Sequence, residues 1–400
     1  MNVSRYISKK IQIDSPGTFT GKIIKIAIAG IALGFAVILV SSATVEGFQR
    51  EISSKITGFS GDIEIRATGS ASNNDYPMFE IPENFVSDIK KISNIKSIHA
   101  VATKPAIIKS QDELLGILYK GVDSNYSFEF YQKNLLEGEM PLKQNEILIS
   151  KFMAQKLQVK IGEKLRIYFI KQPIRASAPI VKGIYHTGLD EQDKMMVLGN
   201  ISTVQRFFSE GANFATNFEI FVEDLGKLEK TKEDISKNLD YSLDCHLSKE
   251  LFPQIYTWLD YLDLNKWIIL SLMFFVSAIC LVSALLILVI DRTKMIGLLK
   301  TLGATNALIK QIFMYKLARI LAWGFGLGNI LGLGLCYFQK YTSYFKLDQE
   351  TYYIDTVPIY LNLSSILLAN LIGISICMLV LMLPVQMVSK INPSKSIRFD

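Results

Sequence analysis

The stretch IAIAGIALGFAVILVSSATV, Ile26 to Val45, contains no charged residue. At about 1.5 Å of rise per residue it matches a bilayer hydrocarbon core of about 30 Å. Trp267 to Ile290, Ile320 to Phe338 and Thr356 to Val388 repeat the pattern, the last with room for a tilted helix and an approach segment. A buried helix of a soluble protein stays this apolar over about 10 to 14 residues, so four such runs exclude an ordinary water-soluble fold. A cleaved secretory signal is a poor account of the first run, because a signal core is about 7 to 15 residues with a small-residue site just beyond it. Here Phe48, Ile52 and Ile56 carry an apolar stripe onward at intervals of four, as an amphipathic helix leaving the bilayer would.

Basic residues near membrane ends are retained on the cytoplasmic side, and their distribution orients the chain. Arg5, Lys9, Lys10, Lys22 and Lys25 precede the first run; Arg292, Lys294, Lys300, Lys310, Lys316 and Arg319 lie between the second and third; Lys390, Lys395 and Arg398 follow the fourth. The span 46–266 and the loop 339–357 are both net acidic, although the whole chain carries +6. The mild excess of positive charge is thus a topology signal and makes no case for nucleic acid. The expected organisation is a cytoplasmic amphipathic helix at 1–22, a first membrane helix at 23–45, and an external domain of one core or two lobes at 46–265. A second membrane helix at 266–290, a cytoplasmic loop at 291–316 and a third helix at 317–338 follow. A short external loop at 339–357, a fourth helix at 358–388 and a cytoplasmic tail at 389–400 complete it. The fold class is an α-helical membrane protein with four transmembrane helices and a large mixed α+β extracytoplasmic domain inserted between helices 1 and 2.

Within the external span, alternation predicts strands at 62–66, 95–106, 114–122, 146–149, 165–169, 180–184, 195–198 and 217–222. Helices are expected at 85–92, 151–157 and 225–239. The turn-rich Glu137-Gly138-Glu139-Met140-Pro141 is a candidate domain boundary. Asp190, Glu191 and Asp193 read as a solvated acidic loop in preference to a cation site.

Chemistry is hard to find. The span has one cysteine, Cys245, while Cys280, Cys336 and Cys377 lie in the apolar runs, so no disulfide framework is expected. His99, His186 and His246 are scattered, without metal-ligand spacing. No phosphate-binding loop, nucleophile elbow or zinc-protease motif occurs. The membrane runs hold no ionisable residue near their centres, which argues against an ion-driven transporter. They do hold Gly324, Gly328 and Gly332, and Gly30 with Gly34, at the four-residue spacing that lets helix backbones approach; Asn362 and Asn370 suit interhelical hydrogen bonds.

The loop after the second run is different. Asp291-Arg292-Thr293-Lys294-Met295-Ile296-Gly297-Leu298-Leu299-Lys300-Thr301-Leu302-Gly303-Ala304-Thr305 is too apolar for a solvated loop. A short helix with basic flanks either docks into a groove of a soluble partner or lies on the lipid surface, and composition does not separate the two.

Arg292 to Thr305 resembles the "R-x-x-E-I-G-I-L-K-A-L-G-A-T" segment of the FtsX-like (MacB-like) permease superfamily, the membrane subunits of type VII ABC transporters. Met295 stands where the usual acid would be. Asn145-Glu146-Ile147-Leu148-Ile149-Ser150, with Ile161-Gly162-Glu163-Lys164, is similar to that superfamily's extracytoplasmic core domain. Three further pieces resemble its lipoprotein-releasing branch, the LolC and LolE permeases: Ser4-Arg5-Tyr6-Ile7, Tyr352-Tyr353-Ile354-Asp355-Thr356-Val357-Pro358-Ile359, and Ile391-Asn392-Pro393-Ser394-Lys395-Ser396-Ile397-Arg398. The resemblance implies a transport subunit without enzymatic activity or a cofactor of its own, working with an ABC ATPase homodimer that binds ATP and Mg. It implies a second permease copy or paralogue, lipoprotein cargo drawn from the outer leaflet of the inner membrane of a Gram-negative-type bacterium, and a periplasmic carrier.

It also assigns residues. Met295, Ile296, Gly297, Leu298, Leu299, Lys300, Leu302, Gly303 and Ala304 would couple to the ATPase, and Gln172, Pro173, Ile174 and Arg175 would receive the carrier. Phe48, Phe274 and Phe275 would line a lipid cavity. The alternative is an efflux or mechanotransmission permease of the same superfamily, acting on another cargo or on a periplasmic partner.

Overall fold

The computed structural model describes residues 19–70, 77–110, 113–141, 143–208 and 213–388. The segment around Ser4 to Ile7 and the tail Ile391 to Arg398 lie outside the described residues. Two compact units emerge: one from residues up to Gln49, Trp258–Lys346 and the chain from Thr356, the other from Arg50–Thr257 and Leu347–Asp355.

Helix α1 (Phe19–Ser60) is continuous, so the first apolar run and its amphipathic continuation are one element. Its later turns bury Ile52 and Ile56. The inserted domain then runs β1 (Ile63–Ala67), β2 (Phe79–Glu80), α2 (Phe85–Lys90), β3 (Ile95–Ser110), β4 (Glu113–Val122), α3 (Glu129–Lys133) and β5 (Leu135–Gly138). It continues through β6 (Glu146–Ser150), α4 (Lys151–Leu157), β7 (Arg166–Phe169), β8 (Arg175–Ser177), β9 (Ile180–Tyr185), α5 (Asp190–Met195), β10 (Met196–Asn200) and α6 (Ile201–Phe208). It closes with β11 (Phe214–Ala215), β12 (Asn217–Val222), a 3₁₀ turn (Leu225–Lys227), α7 (Leu228–Ser236), β13 (Leu243–Leu247) and α8 (Ser248–Leu251). The main sheet follows the order β13-β1-β12-β3-β4-β10-β6-β9-β5, with β7 on β3 and β8 on β7; β2 and β11 form a separate ribbon.

Local chemistry explains the joints. Ser150 ends β6 in extended conformation and caps α4, its hydroxyl accepting from Met153 N at 3.2 Å. Asp224 accepts from Gly226 N at 2.9 Å, which makes the first turn of the expected 225–239 helix a 3₁₀ turn. Apolar side chains of α4 and α6 pack with those of β3, β4, β6 and β7 in one core, around Met153, Ile167, Phe169 and Val204.

Two expectations are corrected. The turn-rich 137–141 segment is no boundary: β5 pairs with β9 of the main sheet, Gly138 opposite Gly183. A strand that short at a sheet edge carries too little apolar alternation to declare itself. The acidic cluster is not a loop either, and only Glu191 of the three is exposed. It forms α5, and Asp193 is 2% exposed. Its carboxylate accepts from Thr187 Oγ1 (2.7 Å), Thr187 N (3.0 Å) and Gly188 N (3.3 Å), and lies 3.1 Å from His186 Nδ1. Burial pushes its pKa up in spite of these donors.

The other unit contains α9 (Pro253–Asp291) from Trp258 onward, α10 (Thr293–Thr301), α11 (Asn306–Thr342) and α13 (Leu363–Val388); the short α12 (Gln349–Tyr352) belongs with the inserted domain. Helices α1, α9, α11 and α13 are each long and apolar enough to cross a membrane. Their shared core includes Ile31, Phe35, Leu281, Leu285, Phe313, Leu317, Phe325 and Leu381. The glycine spacing is used on two sides of α1. Gly324, Gly328 and Gly332 of α11 face Ile31, Ala32 and Ala36, and a Cβ at Gly328 would stand 2.9 Å from the Ala32 carbonyl oxygen. On another side, a Cβ at Gly34 would stand 2.6 Å from Ser277 Oγ of α9. Asn329 and Asn370 exchange side-chain hydrogen bonds of 2.8 and 3.1 Å between α11 and α13.

Candidate functional site

The apolar loop after α9 is a helix with a stop and a start built into four residues. Gly303, at φ +89°, is the left-handed residue after α10. Its N–H reaches the Lys300 carbonyl at 3.1 Å while Ala304 N reaches the Leu299 carbonyl at 2.9 Å, a Schellman closure. Thr305 then caps α11, its hydroxyl accepting from Leu308 N at 3.3 Å. Leu302-Gly303-Ala304-Thr305 is therefore a hinge-free corner that fixes the direction of α10 against α11.

That fixation leaves α10 with two faces. Ile296 and Gly297 are buried, Ile296 in the helical core, and Ala304 packs on the same core. Leu298 and Leu302, four residues apart, are 58% and 77% exposed. Met295, Leu299 and Lys300 are half-buried between them. The structure thus divides the nine expected coupling residues into an inner set that seats the helix and an outer set in which Leu298 and Leu302 are the most exposed apolar side chains.

The remaining expected residues lie elsewhere. Gln172, Pro173 and Ile174 lie in the exposed tip of the hairpin β7–β8, and the exposed Arg175 opens β8 opposite Phe169; β8 pairs with β7 alone. Lys171 anchors its base by donating to the Phe207 carbonyl at 2.9 Å. The three phenylalanines are not brought into one wall. Phe48 meets Trp258 edge to face at 6.3 Å, Phe274 packs on the helical core, and Phe275, one residue on, is 65% exposed.

Sequence reasoning missed a buried charge network at the end of α1. Lys120 and Glu219 pair at 2.6 Å with 2% and 3% of their side chains exposed. Lys120 Nζ also donates to the Phe59 carbonyl in the last turn of α1, and Tyr126 Oη donates to Glu219 at 3.0 Å. A cavity of about 520 Å³ opens beside this network, with Ile117, Leu118 and Phe252 among its apolar walls. Alternation placed Lys120 and Glu219 on strands, but only their cross-sheet proximity reveals the pair. Among the described residues no cluster of His, Cys, Asp and Glu could hold a metal ion.

Four membrane-length helices, a mixed α/β domain between the first two and a capped short helix between the second and third define a polytopic membrane protein with an inserted working domain. Residues 267–393 match the FtsX-like permease C-terminal domain and residues 26–237 the MacB-like periplasmic core domain. The chain belongs to the family of FtsX-like permeases carrying a MacB-like periplasmic core domain. It is similar to the lipoprotein-releasing system transmembrane protein LolE of Haemophilus influenzae, 24% identical over 99% of both chains. It is likewise similar to the lipoprotein-releasing system transmembrane protein LolC of Buchnera aphidicola, 25% identical over 93% of this chain and 92% of that one. The periplasmic region of MacB from Actinobacillus actinomycetemcomitans matches 50% of this chain and 95% of its own, at 13% identity and a TM-score of 0.36.

Proposed function

We propose that this permease extracts lipoproteins from the outer leaflet of an inner membrane and hands them to a periplasmic carrier, driven by a separate ABC ATPase homodimer. Both termini and α10 would face the cytoplasm, the inserted domain the periplasm, and a second permease copy or paralogue would complete the translocation path. The names of relatives that align over nearly their whole length favour lipoprotein cargo over efflux.

The observation that carries the coupling role is the Leu298–Leu302 stripe on a helix whose opposite face is locked into the core. An interfacial helix lying on lipid needs no such closure at Gly303; a helix that takes a push does, because a loose corner would absorb the displacement. Work is needed, since each acyl methylene leaving the bilayer costs about 0.8 kcal/mol. The path from α10 would run through α9 and α11 to the inserted domain, with the β7–β8 tip as the place of carrier docking.

The test is reconstitution with the ATPase in vesicles loaded with a triacylated lipoprotein, following ATP-dependent appearance of the lipoprotein on a soluble carrier. Transfer that disappears in the Leu298→Asp, Leu302→Asp double variant, with membrane insertion intact, supports the reading. ATP hydrolysis without release of lipoprotein would replace it with efflux or mechanical signalling.

A further inference from the structure

The segment Leu347–Asp355 between α11 and α13 packs with the inserted domain, although both flanking helices belong to the other unit. Its base is closed by backbone pairing, Leu347 N to Asp355 O at 2.8 Å and Val357 N to Phe345 O at 3.1 Å. Gln339, buried on α11, locks that base. Its Oε1 accepts from Phe345 N at 2.9 Å, and its Nε2 donates to the carbonyls of Phe345 and Val357 at 3.0 and 3.2 Å.

The tip is seated just as specifically. Lys55, near the end of α1, donates to the Thr187 carbonyl at 2.7 Å and to the Tyr353 carbonyl at 2.8 Å, so one ammonium grips the domain and the segment together. Burial lowers the Lys55 pKa, and the negative charges of Glu51, Asp355 and Asp193 oppose that drop. Gln349 Oε1 lies 3.1 Å from His186 Nε2, whose other ring nitrogen faces the buried Asp193. Tyr353, in the left-handed region at φ 62°, packs against a core containing Phe59, Tyr131 and Tyr185, and Ile354 is 6% exposed. A non-glycine residue held in that region is a position the surroundings over-determine.

We propose that Leu347–Asp355 is a strap seated as one piece: Gln339 ties together the two strands that lead into and out of it, and Lys55 clasps its tip to the domain. The strap stands on its own geometry, whatever cargo the permease moves. A loop that only joined two helices would need neither a buried glutamine at its base nor a shared lysine at its tip. The strap also accounts physically for Tyr352-Tyr353-Ile354-Asp355, which supplies the left-handed turn, the buried side chain and the closing carbonyl that a seated segment requires.

The experiment uses the full chain in detergent or lipid discs, with neither ATP nor cargo, so its outcome is independent of the proposed transport function. Ile354→Cys is introduced, and the reaction of the new thiol with a water-soluble maleimide is followed peptide by peptide, with Thr351→Cys, exposed in the strap, as the control. Adding Lys55→Met should raise the labelling rate of the Ile354→Cys chain by about tenfold or more, as expected for losing hydrogen bonds to a charged group. Gln339→Leu, at the other end of the strap, should raise it too, because base and tip move as one piece. Unchanged protection of the introduced thiol in Lys55→Met overturns the clasp. A rise confined to Lys55→Met, with Gln339→Leu like the parent, overturns the rigid strap and leaves only a local seat.

Discussion

Replacing Lys120 by Met keeps the aliphatic stem and removes the charge that faces Glu219 inside the domain. The pair is 2.6 Å apart with almost no exposure on either side, so the variant strands a carboxylate in a desolvated site. Breaking a buried pair from one side costs about 3 to 5 kcal/mol. For a domain of about 200 residues, at about 2 to 4 °C per kcal/mol, that lowers the melting temperature by about 6 to 20 °C. The sign of the pH dependence follows from Glu219. Burial already holds its carboxyl above its ordinary value of 4.5, against the pull of Lys120. A carboxyl raised in the folded state binds protons more tightly there than in the unfolded chain, so its stabilising contribution is lost as pH rises from 4.5 through the folded value. Without Lys120 that folded value climbs further, and the deficit is greatest near neutrality and shrinks toward about pH 5. Adding Glu219→Gln removes the stranded charge, keeps an acceptor for Tyr126, and should restore more than half of the loss. The assay is thermal unfolding of the solubilised chain read by proteolysis of the domain, at both pH values. A Lys120→Met domain within about 2 °C of the parent near neutrality, or a deficit equal at both pH values, refutes the reasoning. Lys120 also holds the last turn of α1 through the Phe59 carbonyl, so hydrogen exchange at residues 57–61 should quicken in the same variant.

Gly328→Val should destabilise the helical unit by about 1 to 3 kcal/mol, because the new Cβ meets the Ala32 carbonyl and Phe35; Gly326→Val, with nothing within 4 Å, should be near neutral in thermal unfolding of the solubilised chain. Gly303→Val places a β-branched residue at φ +89°, at a cost of about 1 to 3 kcal/mol, and should show as faster hydrogen exchange in α10. Asp193→Ala leaves the Thr187 and Gly188 donors unpaired and should cost about 2 to 4 kcal/mol, measured as loss of protease resistance in the domain.

The apolar runs made the helical unit legible, because hydrocarbon demands a simple pattern: Ile26–Val45 and its continuation through Ile56 read correctly as one helix. The strands that become β3 and β4 and the helix at 151–157 were equally plain, since alternation and helical periodicity are local signals. What stayed hidden is non-local. Asp193 looks like any loop acid until Thr187 and Gly188 fold over it, and Leu135–Gly138 becomes a strand only because β9 is there to pair with. The segment from Asp291 to Thr305 was legible as apolar, but which leucines face outward depends on the corner at Gly303, which the spacing of Leu298, Leu299 and Leu302 does not decide. Lys55 carried no signal at all, being one more basic residue on an amphipathic helix.

The continuity of α1 carries an evolutionary consequence. Its 42 residues extend about 63 Å, roughly twice the hydrocarbon thickness, and the second half leads into the domain without a break. A single inserted or deleted residue anywhere between Val45 and Ser60 would turn the rest of the helix by about 100° and shift it by about 1.5 Å, moving Ile52 or Ile56 off the face they bury. Substitutions at solvent-facing positions along this segment are cheap, while changes in its length are not. Length changes near whole multiples of the helical repeat would be the least disruptive.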